Sequence, residues 1–197
     1  MRRASWRKPG LACAAGFAGV IALLAAGCSS PASPPGQQAA QNTRTAVARE
    51  YWRVLAVIYP ELFPGTGGSG SFAACQPGGG HAATQVAYSV ENGILSQNGR
   101  LAPGPFIAEL AQLLHAHGWS TFTSQNGALV GTSGDYRVTL KPVSENASLS
   151  ADLTVSGPCV TVGSAFASAA PHMTLNDDYA NADVSASPTP TSPLPTP

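Results

Sequence analysis

Charge is what this chain has least of. Only 10% of its 197 residues are Asp, Glu, Lys or Arg, against about 25% in an ordinary soluble domain. Beyond residue 8 the single lysine is Lys141. Arg2, Arg3, Arg7 and Lys8 hold four of the ten basic positions, so residues 28–197 carry six basic against ten acidic side chains, net −4. No basic patch is left for nucleic acid. The scarcity also limits catalysis. Glu61, Glu91 and Glu109 lie far apart in sequence, and only tertiary structure could bring two of them to one cleft, as glycoside hydrolysis requires. Asp177-Asp178 lacks the spaced oxygen ligands of a calcium loop. Gly131-Thr132-Ser133-Gly134 and Gly67-Gly68-Ser69-Gly70 both miss the GxSxG spacing of a nucleophile elbow. Histidine occurs four times. His115 and His117 are two apart, which on a helix turns the rings about 200° from each other, whereas ligands sharing a helix face stand three or four apart. His81 and His172 are isolated. No metal and no other cofactor is expected, and a non-catalytic role is favoured.

What the chain does have begins with its leader. Arg2, Arg3, Arg7 and Lys8 form a positive n-region, and Leu11 to Ala26 is a 16-residue run without charge. That is short of the about 20 residues a membrane-spanning helix needs and suits a signal h-region. The run ends Leu23-Leu24-Ala25-Ala26-Gly27-Cys28. This ending resembles the lipobox of bacterial lipoproteins, in which small residues precede a cysteine that is diacylated and becomes the mature N-terminus. Leucine is commonest three positions before that cysteine; here Ala25 holds the position and Leu24 stands one step further back. The resemblance covers the leader and nothing beyond it. It implies cleavage after Gly27, lipid on Cys28 and a place at the extracytoplasmic face of the membrane. The bias toward Ala, Gly, Ser, Thr and Pro looks like exported lipoproteins of high-GC actinobacteria. Each buried methylene of such a lipid contributes about 0.8 kcal/mol to membrane binding, and two chains anchor firmly.

Four cysteines remain to be assigned. Cys13 leaves with the leader and Cys28 is consumed by lipid. Cys75 and Cys159 are then one pair in an oxidising compartment, where a disulfide is expected. A thiol or metal site is the rival, and no CxxC or cysteine–histidine cluster supports it.

The expected domains are 1–27, signal peptide; 28–41, lipidated N-terminus and flexible tether; 42–163, one α+β domain; and 164–197, a disordered Ser/Thr/Pro-rich tail. The tether SSPASPPGQQAAQ lacks large apolar residues, and the tail fades into prolines, so neither is expected to contribute to a core. Asn42 and Thr43 are candidate N-caps for a helix over about Arg44 to Tyr59, with Val47, Tyr51, Val54, Leu55 and Ile58 on one face. Trp52 lies at the edge of that stripe. Tyr51-Trp52 could stack a ligand, but core packing with one ring at the rim is the simpler expectation. Glu61 to Gly80 is predicted to be loop. Its Gly65-Thr66-Gly67-Gly68-Ser69-Gly70 spells GxGxxG, yet it follows a helix and not a strand, which removes the dinucleotide reading.

Thr84 to Glu91 alternates as a half-buried strand. A second helix opens at Pro103-Gly104-Pro105, carries Phe106, Ile107, Leu110, Leu113 and Leu114 inward, and ends at Gly118 as a left-handed cap. Period-two strands follow over Trp119 to Thr123, Ala128 to Thr132, Tyr136 to Lys141 and Leu149 to Val155, with Asn126-Gly127 as a tight turn. The fold class is therefore α+β: two amphipathic helices on one face of an antiparallel sheet of about four to five strands, ending in a C-terminal meander, with one disulfide.

The expected function is that of a membrane-anchored extracytoplasmic lipoprotein, a binding or accessory module of the cell envelope. An envelope hydrolase and a lipid-carrying lipoprotein are the alternatives. The partners are the membrane, through the N-terminal lipid, and an envelope protein, glycan or lipid. The candidate binding surface is the wet face of the meander, with Arg137, Lys141 and Asp152; a slot lined by Trp52, Phe106 or Trp119 would suit lipid.

Overall fold

The computed structural model describes residues 35–62, 68–75, 84–96, 102–143, 151–173, 175, 179 and 194. The chain divides into compact units Met1–Ala32 and Ser33–Pro197, and every described residue belongs to the second. The leader, Cys28, Gly65 to Gly67, His81 and Asp177-Asp178 lie outside the described residues.

The fold is α+β. Helix α1 (Pro35–Ile58) and helix α2 (Pro103–Ala116) pack on one face of an antiparallel sheet. The strands are β1 (Gly68–Ala74), β2 (Gln85–Ile94), β3 (Thr123–Gln125), β4 (Ala128–Ser133), β5 (Tyr136–Pro142), β6 (Ala151–Ser156) and β7 (Val160–Thr161). Their order is β1-β2-β6-β5-β4-β3, with β7 pairing β2. Strands β3 to β6 form the meander. Asn126 (φ 50°) and Gly127 (φ 79°) make the primed turn that matches hairpin twist.

Core residues follow the two periods. From α1, Val47, Tyr51, Val54, Leu55 and Ile58 are buried; from α2, Phe106, Ile107, Leu110, Ala111 and Leu114. They meet Val86, Tyr88, Val90, Val138, Leu140, Leu153 and Val155 from the sheet. Gly118 closes α2 with φ 94°, and its N–H donates to the His115 carbonyl at 3.1 Å. Cys75 and Cys159 are bonded, with Cα atoms 6.2 Å apart. Both β1 and β7 reach Val86 of β2, from its two sides, so the disulfide ties the two neighbours of that strand together.

Four expectations need correction. The tether is partly helix: α1 begins at Pro35, and Asn42 and Thr43 lie inside it and do not cap it. Proline is tolerated in a first turn, and the small residues let this turn press against the domain. A side chain at Gly36 would fall on the backbone of Val162, and Ala40 is fully buried.

The predicted loop contains β1, whose one large apolar residue, Phe72, packs on Tyr88 with ring centroids 4.9 Å apart. Trp119 to Phe122 is not strand; β3 starts at Thr123. The tail also folds in part. Helix α3 (Ser164–Ala169) puts Phe166 edge-on to Phe72 at 6.0 Å. Tyr179 is 3% exposed and Leu194 7%, and the Tyr179 N–H donates to the Gly68 carbonyl at 2.9 Å. A few large side chains in polar sequence are enough to dock a segment whose composition reads as disordered.

Candidate binding surfaces

The two faces of the sheet are unlike. Helices cover one. The other is set by the alternate residues of each strand, which the register lines up into rows. One row runs Ser69, Glu91, Thr154, Thr139, Val130, Thr123; the next runs Ser71, Ser89, Ser156, Arg137, Thr132. Lys141 stands opposite Asp152, which stands opposite Gly93. Arg137, Lys141 and Asp152 are all exposed. Hydroxyls thus dominate a rigid face carrying two cations and two carboxylates. Its chemistry is hydrogen bonding with little net charge.

Trp52, Phe106 and Trp119 do not belong to that face. They are 5%, 1% and 4% exposed and belong to the core. Trp52 is therefore not at a rim; its ring lies edge-on to Tyr51 at 5.7 Å. Tyr51 in turn accepts a hydrogen bond from Asn92 Nδ2 at 2.7 Å, and the Tyr88 and Tyr179 hydroxyls are 3.0 Å apart. Burial raises the Tyr51 phenol above its ordinary pKa. Gly68 makes this arrangement possible, because a side chain there would meet the Tyr51 hydroxyl. That is a structural use for a glycine of the GxGxxG run.

Among the described residues, one opening lies elsewhere. A groove of about 230 Å³ runs between α2 and the β3–β4 hairpin, lined by Ala108, Ala111, Gln112, His115, Thr121, Phe122 and Leu129. The four helical residues are at i, i+3, i+4 and i+7, a face of α2 beside its buried stripe. Alanine at two of these positions leaves the room. His115 Nδ1 lies 3.0 Å from the Trp119 carbonyl; a carbonyl can only accept, so Nδ1 carries the proton and Nε2 is left over. Sequence patterning missed this groove, since its signal is an absence of bulk at Ala108 and Ala111.

Glu91 is on the outer sheet face and Glu109 is exposed on a helix packed against the other face. Those two acids cannot share a cleft. Among the described residues no group of three or more His, Cys, Asp or Glu is placed to hold a metal ion, and no helix is long and apolar enough to cross a membrane. No family model, curated protein or solved structure matches the chain.

Proposed function

We propose that this protein is a lipid-anchored module of the cell envelope, tethered through Cys28 at the extracytoplasmic face and acting by binding. The observation that carries the proposal is the bonded pair Cys75–Cys159. Structural disulfides belong to oxidising compartments, and a chain that opens with a charged n-region, an apolar run and a small-small-Cys ending has a route there. Pairing those two thiols leaves Cys13, which would go with the leader, and Cys28, the cysteine at the small-small-Cys ending. The hydroxyl-rich outer face, with Arg137, Lys141 and Asp152, suits a glycan or a polar protein patch, because many neutral hydrogen-bonding groups on a rigid sheet can match an uncharged polar partner. Growing cells on a clickable fatty acid tests the anchor. The wild-type chain should take up label and Cys28→Ser should not; equal labelling of both would end the proposal.

A further inference from the structure

We infer that the groove beside α2 takes an extended, uncharged peptide, which adds a strand to β3 and seats one apolar side chain on Phe122. Two independent features meet there. The first is an open edge. Among the described residues β3 is the last strand of the sheet, and all three of its residues are exposed. Gln125 and Ala128 close the two-residue turn and so form a hydrogen-bonded pair. Ser124, opposite Leu129, is then a non-hydrogen-bonded position whose N–H and C=O point away from β4. Such groups are a template for another strand.

The second feature is the slot next to that edge. Its floor is kept in place by Gly131, where an added Cβ would lie 2.6 Å from the Phe122 ring. No Asp, Glu, Lys or Arg lines it, which selects an uncharged occupant. At about 230 Å³ it is below the usual small-molecule range of about 300–1,000 Å³ and suits one side chain. A lipid could fill the slot but would leave the Ser124 edge to water. Strand addition uses both features, main-chain bonds for affinity and a side-chain pocket for specificity. The groove is distinct from the outer sheet face, and this inference does not depend on lipidation.

The test uses eight-residue synthetic peptides in which threonine alternates with alanine, valine, leucine or phenylalanine, titrated into the full-length chain by fluorescence polarisation. Leucine or phenylalanine peptides should bind at least about tenfold more tightly than the alanine peptide. Ser124→Pro removes the spare N–H at an edge position where proline is permitted and should weaken binding about tenfold. Ala108→Phe fills the slot from an exposed helix position and should abolish the preference for large side chains; its melting temperature should match wild type. Should Ser124→Pro fail to fold, the peptide series with Ala108→Phe decides alone. Absence of binding by every peptide, or binding unchanged in both variants, overturns the inference. So does self-association that Ser124→Pro removes, which would make a second copy the occupant. A fluorescent fatty acid blocked by Ala108→Phe but indifferent to Ser124→Pro would give the slot to lipid and overturn it equally.

Discussion

Tyr51 is a buried phenol whose ionisation opposes the fold at alkaline pH. Its ring is enclosed by Trp52 and by Tyr179 at 5.5 Å, and its hydroxyl is held by Asn92. Burial raises its pKa, and the Asn92 hydrogen bond opposes that with a smaller effect. The native state therefore holds this proton more tightly than the unfolded chain does. The resulting stability is complete below the unfolded value of about 10 and is lost as pH rises above it. The melting temperature should be insensitive to Tyr51 through neutral pH and fall in the alkaline range, and Tyr51→Phe should shallow that fall. The same substitution should cost about 1–3 kcal/mol at neutral pH, because the Asn92 amide would lose its partner and its Oδ1 already has none. A denaturant titration at neutral and alkaline pH measures both effects; an unchanged alkaline slope would contradict the assignment.

Among the elements, α3 carries a sharp test. Phe166 is 3% exposed and packs on Phe72 of β1, so Phe166→Ala should destabilise by about 3–5 kcal/mol. Were residues 164–197 merely a solvated tail, the change would be near zero. The contrast marks what the sequence made legible. The meander and α2 were readable because their large apolar residues recur at the periods of strand and helix, with Asn126-Gly127, Pro105 and Gly118 as punctuation. The same alternation put Arg137, Lys141 and Asp152 on the wet face before any register was known. β1, the early turns of α1 and α3 were not readable. Each has one large apolar residue or none among small or polar residues, and each is fixed by a partner outside its own element: β1 by β2, Gly36 by Val162, Phe166 by Phe72. The groove was hidden for a related reason, since apolar patterning records side chains that fill space and not those that leave it open.

At the scale of the molecule, the disulfide closes a separation of 84 residues. In the chain-entropy account a loop of that length stabilises by about 4.5 kcal/mol, and Cys75→Ser with Cys159→Ser should lose about that much in a denaturant titration. Replacing Arg137, Lys141 and Asp152 together with alanine should change stability by no more than about 0.5 kcal/mol per site, since all three are exposed; retention of an envelope glycan or protein by wild type and not by this variant would locate binding on that face. One feature at the far end of the chain reaches further. Gln37 Nε2 donates to the Leu194 carbonyl at 3.3 Å, so two described residues 157 apart in sequence stand side by side. Such a contact holds together the two ends of the described part of the domain, and closing so long a loop costs more entropy than closing a short one. Trimming the chain before Leu194, which is 7% exposed, should therefore uncover the first turn of α1 and lower the melting temperature.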